Sequence, residues 1–319
     1  IIMNGIEGET HAYNGTDYFY NGVADCVITE NADGTVYYDF VIGDGIKFAD
    51  GHELDVDDVI FSMYVLCDPT YDGSSTLYAQ PILGMDAYRA GMDTRQNLIL
   101  AAGRDGYVAT EHFTEDQYNT FWAAFDAAGL KFAQSIADYV LSAYGEAYGA
   151  VDFASAVALW GYTATDAQDL WNQIVATYGF DLSDNGINYE SAGTSISAFI
   201  EAELGDKAGE YSAGVQTGDS AANIEGIQKT GDNSLRVIMT TVDATSIYQL
   251  SLSVAPMHYY GNTAEYDYDN NKFGFTKGDL SGIREKTTKP LGAGPYKYVS
   301  YENNVLSYEA NDKYFLGAP

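Results

Sequence analysis

The sequence predicts a mixed α/β protein, and three patterns indicate this. Residues 36–42 alternate in character, as a strand with two different faces does. Residues 55–67 place apolar side chains at helical spacing. Residues 113–206 are rich in alanine and repeat their large apolar side chains at helical intervals. We therefore expect a β-rich domain that carries a mainly helical insertion.

The predicted strand follows a turn signal at Asp33–Gly34. A glycine-containing break at 43–45 separates it from a second extended segment at 46–48, so we expect a hairpin-like β segment. Asp50–Gly51 marks a further turn.

The first helix is predicted to begin after Asp55, a residue type that caps helices well. Asp58 lies three residues further on, where a negative charge suits the helix dipole. Pro69 is expected to end this helix, and Cys67 to be a buried thiol near its end.

Within the helical block, Gly129 is predicted to divide the first stretch into two helices, and Thr165 to cap a later one. Further helices are predicted at 151–160, 166–178 and 195–204.

Strand character returns after the helical block. Residues 235–239 alternate, and residues 296–301 and 305–309 are predicted to form a hairpin around 302–304. These patterns predict the following limits: an N-terminal part at 1–91, a mainly helical insertion at 92–222, and a β-rich part at 223–319.

The chain is strongly acidic, with 46 Asp and Glu against 15 Lys and Arg and a net charge of −31. Such a surface repels phosphate backbones and anionic membranes, so we predict no nucleic-acid partner. The charge is explained by solubility outside the cell, and an attraction for cationic ligands is the alternative. No apolar run approaches the roughly 18 residues that a membrane helix needs.

Reactive and metal-binding residues form no familiar pattern. Cys26 and Cys67 are too few for a disulfide scaffold, and the sequence leaves open whether they pair. The four histidines are scattered, and neither HExxH nor GxSxG occurs. We therefore predict no enzyme, no cofactor and no metal site.

Three longer stretches resemble one protein family. Residues 46–62 (IKFADGHELDVDDVIFS) are similar to the signature of the peptide/nickel type of bacterial extracytoplasmic solute-binding proteins, family 5. Residues 290–297 (PLGAGPYK) match a second motif of that family, and residues 309–319 (EANDKYFLGAP) a third. Residues 232–237 and 273–280 resemble intervening family elements, and the resemblance covers roughly 1–90 and 223–319.

The resemblance implies a lobe of the type II (cluster C) periplasmic-binding-protein-like fold, elaborated by the helical insertion. It implies a monomeric receptor of an ABC importer that captures oligopeptides and delivers them to permease subunits. Members are longer, so we expect these residues to form most of one lobe and to bind no peptide tightly alone. The resemblance also implies an extracytoplasmic location, either periplasmic or at a Gram-positive surface through a lipid anchor outside these residues.

The motif residues are expected to be mainly structural: Gly45, Asp50, Gly51, Asp55, Asp58, Gly292, Gly294, Pro295 and Tyr296. Gly292 and Gly294 are expected to allow positive φ or close approach, and Pro295 to fix the exit into a strand. Ligand contacts are expected from the hydroxyl- and aromatic-bearing loop at 71–78 and from the segment after Pro256, namely from Ser74, Ser75, Tyr78, His258 and Tyr259.

Other functions remain open at this stage. The same fold could bind an oligosaccharide or a nickel chelate. A two-carboxylate glycosidase is possible in principle, although nothing singles out a pair of acids. A secreted calcium-dependent adhesion module is a further alternative, but the acidic run at 267–271 lacks the glycine and final glutamate of an EF-hand loop.

Overall fold

A computed structural model describes residues 5–317. The chain divides into two compact units. The sheet unit comprises the described parts of residues 1–93 and 216–319, and the helical unit comprises residues 94–215. The mixed α/β class that the sequence predicts is confirmed.

Twelve strands are described, namely β1 (Glu9–Tyr13), β2 (Thr16–Tyr20), β3 (Ala24–Glu30), β4 (Val36–Ile42), β5 (Met92–Thr94), β6 (Gly214–Gln216), β7 (Ile227–Gly231), β8 (Ser234–Met239), β9 (Tyr266–Asp267), β10 (Lys272–Phe273), β11 (Tyr296–Glu302) and β12 (Val305–Ala310). The α-helices of the described part are α1 (Val56–Cys67), α2 (Met85–Arg89), α3 (Arg95–Ala102), α4 (Glu115–Ala143), α5 (Gly145–Tyr148), α6 (Phe153–Trp160), α7 (Ala167–Tyr178), α8 (Ile196–Leu204), α9 (Ala208–Ser212), α10 (Ser246–Gln249), α11 (Met257–Tyr260) and α12 (Ser281–Lys286). No helix of residues 5–317 is long and apolar enough to cross a membrane.

The largest sheet has four antiparallel strands in the order β3-β4-β8-β7. Strand β4 is central, and the pairing of Phe40 with Leu235 sets its register with β8. Its alternate residues are buried against one core cluster, as the alternation at 36–42 predicts. Helix α1 supplies the other side of this core, where Ile60 and Tyr64 are fully buried.

Helix α1 has the cap that the sequence predicts. The Asp55 carboxylate accepts hydrogen bonds from the backbone N–H groups of Asp57 and Asp58. The Asp58 side chain in turn accepts from the Asp55 N–H, which completes a capping box. The helix ends at Cys67, ahead of Pro69.

The prediction of a hairpin over 33–48 is wrong for its second strand, at residues 46–48. Residues 46–48 form only an isolated bridge between Lys47 and Glu53, and the partner of β4 on that edge is β3 instead. Strand β3 was not predicted from the sequence, because it is an edge strand and most of its side chains are exposed, including Val27 and Ile28. Such a strand has no apolar alternation to detect.

The helical unit is organised by α4, which is continuous through Gly129. The predicted break at this residue is therefore wrong. A Cβ atom built at Gly129 would lie 1.9 Å from Cε2 of Trp171, a side chain of α7 that is only 2% exposed. This glycine serves close helix packing and does not end a helix.

The remaining predicted helices are confirmed as α6, α7 and α8, with small differences at their ends. Asp166 caps α7 through its carboxylate, so the cap predicted at Thr165 is off by one residue. The hairpin of β11 and β12 is also confirmed, and Asn303 and Asn304 occupy its turn at positive φ. The domain limits predicted from the sequence stay a prediction.

Candidate ligand-binding site

The sheet unit contains an open cavity of about 630 Å³. The cavity lies beside the α1 core, and three separate segments form its other walls: 250–254, 292–295 and 314–316. It is lined by Phe19, Asn21, Val23, Ala24, Phe40, Ile42, Ile46, Leu54, Val59, Met63, Leu235, Leu250, Ser251, Leu252, Ser253, Val254, Gly292, Ala293, Gly294, Pro295, Tyr314, Phe315 and Leu316.

The cavity wall is uncharged. No Asp, Glu, Lys or Arg of residues 5–317 belongs to the lining set, although the chain as a whole carries −31. The lining is mostly aliphatic and aromatic, with a few hydroxyl and amide groups. Such a wall favours an apolar or neutral group and offers polar contacts at only a few points.

One wall is the segment at 251–254, which belongs to none of the described sheets. Along 251–254 the side chains alternate: Ser251 and Ser253 are exposed, whereas Leu252 and Val254 pack against the core. Within the described chain, the backbone groups of Leu252, Ser253 and Val254 have no hydrogen-bond partner. Beyond this segment, the backbone N–H of Ala255 donates to Ser62 Oγ. The segment therefore leaves backbone N–H and C=O groups without partners beside the cavity.

A second wall is the motif at 292–295. The Gly292 carbonyl accepts a hydrogen bond from Ala49 N–H, and the Gly294 carbonyl accepts one from Asn311 Nδ2. Neither glycine has positive φ, and a Cβ atom at either position would meet nothing within 4 Å. Neither positive φ nor a neighbour at the Cβ position therefore requires glycine here, and the structural role expected of both residues stays a prediction. Pro295 is followed directly by β11, which begins at Tyr296, as predicted.

Asn21 contributes a polar group to the same wall. Its Oδ1 atom is buried and has no hydrogen-bond partner among the described residues. A buried acceptor without a donor costs about 1–3 kcal/mol. An N–H group of a ligand, or a water, would remove this cost.

The predicted contact residues of the loop at 71–78 are not part of this cavity. Ser74 is exposed, and Ser75 Oγ accepts a hydrogen bond from the Leu77 N–H. The Tyr78 ring lies under the guanidinium of Arg89, whose Cζ atom is 4.4 Å from the ring centroid. Ser75 and Tyr78 thus have local partners.

The segment after Pro256 also lies outside the cavity lining. His258 Nε2 lies 2.6 Å from Oδ2 of Asp50, and the Tyr259 hydroxyl donates to the Lys289 carbonyl. Burial raises the pKa of the Asp50 carboxyl, but the hydrogen bonds from His258 and from the His52 N–H, together with the charges of the two imidazoles, outweigh burial and hold the pKa below its usual value. The His52 ring stacks on that of His258, so two of the four histidines, scattered in the sequence, lie together in the structure.

The turn residues of the first motif behave as predicted. Gly45 and Gly51 have φ values of +73° and +96°, which favour glycine. Asp58 is buried, which raises the pKa of its carboxyl from 3.8 to about 6. Its Oδ1 accepts a hydrogen bond from the Met257 N–H and so ties α1 to α11.

Both cysteines are free. Burial raises the pKa of the Cys67 thiol to about 12 and that of Cys26 to about 11. Neither thiol is activated as a nucleophile, because nucleophilic cysteines need a lowered pKa.

Sequence patterns did not predict the cavity wall at 251–254. Its only sequence signal is a short alternation of serine with leucine or valine, which is too brief to distinguish from a loop.

The comparisons with known proteins agree with this architecture. The family described as "Bacterial extracellular solute-binding proteins, family 5 Middle" matches residues 19–319. The chain is similar to "Probable di/tripeptide-binding protein 5" of Pseudomonas aeruginosa (strain UCBPP-PA14), with 31% identity over 98 residues. That alignment covers 30% of this chain and 16% of the relative. No solved structure matches. The match over residues 19–319 shows that this chain belongs to the bacterial extracellular solute-binding proteins of family 5.

Proposed function

We propose that the chain provides the ligand-binding surface of an ABC importer's receptor, which captures oligopeptides outside the cytoplasmic membrane and delivers them to the permease. Family membership supports the receptor role. The name of the Pseudomonas relative, a probable di/tripeptide-binding protein, supports a peptide ligand. The proposal includes a monomeric receptor that is periplasmic, or held by a lipid anchor at a Gram-positive surface.

The unpaired edge at 251–254 carries the peptide assignment. An extended peptide presents alternating N–H and C=O groups, which pair with a free strand edge whatever its side chains are. The free backbone groups of Leu252, Ser253 and Val254 offer such an edge. A side chain of the peptide would then enter the uncharged cavity.

The cavity wall also suggests which side chains are accepted. A lining without charged groups disfavours a buried ionic side chain, because an unpaired charge is costly to remove from water. We therefore propose neutral or apolar side chains at this position. The acidic surface would act only at longer range, by a mild attraction of cationic peptides.

Ser74, Ser75, Tyr78, His258 and Tyr259 remain secondary candidates for ligand contact. Among them Ser74 is the most available, because it is exposed, whereas Ser75 accepts from the Leu77 N–H, Tyr78 packs with Arg89 and Tyr259 is bonded to Lys289. We propose capture without chemical turnover. The lining set contains no nucleophile with a base beside it, and family 5 receptors are generally not enzymes.

The test begins with ligand identity. The mature protein made by its natural host and the 319-residue chain would each be purified without refolding and examined by native mass spectrometry. Bound peptides on the mature protein are the expected result. A sugar or a metal chelate in their place would contradict the peptide assignment, and so would the absence of any ligand together with indifference to a mixed peptide pool.

A matched pair of variants then tests the cavity. Gly292→Leu fills it without backbone strain, because a Cβ atom at this glycine meets nothing within 4 Å. Peptide affinity should fall by about tenfold or more, since steric overfilling costs about 1–3 kcal/mol. Gly282→Leu on α12 of the same unit is the control, because its Cβ position is equally open and lies outside the cavity. Equal affinities of the two variants would contradict the proposed site.

A further inference from the structure

Two imidazoles and a carboxylate meet on the surface of the sheet unit. Asp50 and His52 come from the turn that follows Phe48, and His258 comes from α11, 208 positions after Asp50. One ligand atom from each residue lies within 4.8 Å of the other two. We propose that Asp50, His52 and His258 form a binding site for a divalent transition-metal ion.

The distances between the nitrogen and oxygen atoms of these side chains are close to the distances between ligand atoms around such an ion. Bonds of about 2.0–2.2 Å to nitrogen and oxygen in a tetrahedron place neighbouring ligand atoms about 3.3 Å apart. His52 Nδ1 already lies 3.5 Å from Asp50 Oδ2. His258 Nε2 lies 2.6 Å from the same oxygen, because the two share a hydrogen bond. Metal binding would replace that hydrogen bond and widen this pair by about 0.7 Å.

The carboxylate is held in position for this role. Asp50 Oδ1 accepts a hydrogen bond from the backbone N–H of His52, which leaves Oδ2 directed at both imidazoles. The turn itself is closed by two backbone hydrogen bonds between Phe48 and residues 51 and 52. On the other side, Met257 N–H is bonded to Asp58, which fixes the start of α11. Such supporting contacts orient metal ligands and strengthen binding.

Only the His52 side chain must turn to complete the site. The rings of His52 and His258 are stacked, with centroids 3.8 Å apart and planes 20° from parallel. Two nearly parallel rings cannot both direct a nitrogen at one ion. The His52 side chain is 65% exposed, so rotation about its side-chain bonds meets little resistance. The fourth coordination position of a tetrahedral ion would remain open to water.

The donor set determines the class of ion. Imidazole nitrogen with one carboxylate oxygen suits Zn²⁺, Ni²⁺ or Cu²⁺, whereas Ca²⁺ and Mg²⁺ prefer oxygen ligands alone. The bound ion would clamp the turn at 48–52 to α11. These three side chains are absent from the cavity lining, so this inference does not depend on the proposed peptide site.

The test uses Zn²⁺ and the full chain, freed of any affinity tag and dialysed against a chelator. Calorimetric titration in the presence of excess Mg²⁺ should show one Zn²⁺ per chain, and Zn²⁺ should raise the melting temperature. His52→Ala should weaken binding by about 100-fold or more, since loss of a merely supporting partner already costs about 10–100-fold. This exposed substitution leaves folding intact, which circular dichroism would verify.

His112→Ala provides the matched control, because His112 lies in the helical unit and outside the cluster. It should bind Zn²⁺ as the unmodified chain does. Asp50→Asn should also lose binding. Absence of stoichiometric Zn²⁺ binding would overturn the inference. Binding that is unchanged in His52→Ala would overturn it as well, since the ion would then be held by other carboxylates or thiols.

Discussion

Replacement of Gly129 by alanine tests how the helical unit is packed. The added Cβ atom would lie 1.9 Å from Cε2 of Trp171, far inside van der Waals contact. The indole cannot simply move aside, because the rings of Phe125 and Phe132 have their centroids 5.2 and 6.4 Å from its own. Either α7 must shift away from α4, or the indole must leave its place.

Two opposing effects determine how much Gly129→Ala changes the free energy of unfolding. Alanine is favoured over glycine in a helix interior by about 1 kcal/mol. Overfilling a packed core costs about 1–3 kcal/mol, and a contact this short requires the upper part of that range. The free energy of unfolding of the helical unit should therefore fall by about 1–2 kcal/mol.

The chain supplies its own probe for this measurement. Its three tryptophans, at 122, 160 and 171, all lie in the helical unit, so tryptophan fluorescence during urea unfolding follows that unit alone. Gly209→Ala in α9 is the control, because nothing lies within 4 Å of its Cβ position and its φ is ordinary. It should be neutral or slightly stabilising. A Gly129→Ala variant as stable as the unmodified chain would refute the packing argument.

Two further substitutions test buried carboxyl groups. The pKa of the Asp58 carboxyl is about 6 in the folded state against an ordinary 3.8, so the folded state binds the proton more tightly than the unfolded state does. Protonation of Asp58 therefore contributes about 3 kcal/mol to the free energy of unfolding at low pH. This contribution is lost as the pH rises through 6. In Asp58→Asn the free energy of unfolding should no longer fall with pH for this reason, so the urea midpoint should depend less on pH between pH 4 and 6. An unchanged pH dependence would contradict the raised pKa of Asp58. Glu190 accepts hydrogen bonds from Trp160 Nε1 and from two tyrosine hydroxyls. Glu190→Leu removes both acceptor oxygens and leaves the indole N–H unpaired, so it should cost about 1–3 kcal/mol and alter the tryptophan emission. Unaltered emission would show that the bond is absent.

The sequence predicts best where local rules decide the structure. Asp55 and Asp58 cap α1 because a short side chain at that position reaches the free N–H groups, and this needs no distant partner. Asn303 and Asn304 form the turn of β11 and β12 for a similarly local reason. Gly129 shows the limit, because a glycine that breaks a helix and one that admits a neighbouring tryptophan look alike in sequence.

The candidate site could be predicted only in part. The motif at 292–295 is visible in sequence, but its position on a cavity wall depends on long-range contacts such as that between Ala49 and Gly292. The segment at 251–254 shows only a short alternation in sequence. It matters because its backbone groups lack hydrogen-bond partners within the described chain, and the sequence does not reveal this. The cluster of Asp50, His52 and His258 is invisible in sequence, since 208 positions separate its two parts.

The two glycines at 292 and 294 connect these observations. A glycine is explained structurally when its φ is positive or when a neighbour occupies the Cβ position, as at Gly51 and Gly129. Neither explanation holds at 292 or 294 within the described chain. Both glycines line the cavity. Without side chains they leave its wall open to close approach, which an extended peptide paired with the segment at 251–254 would require.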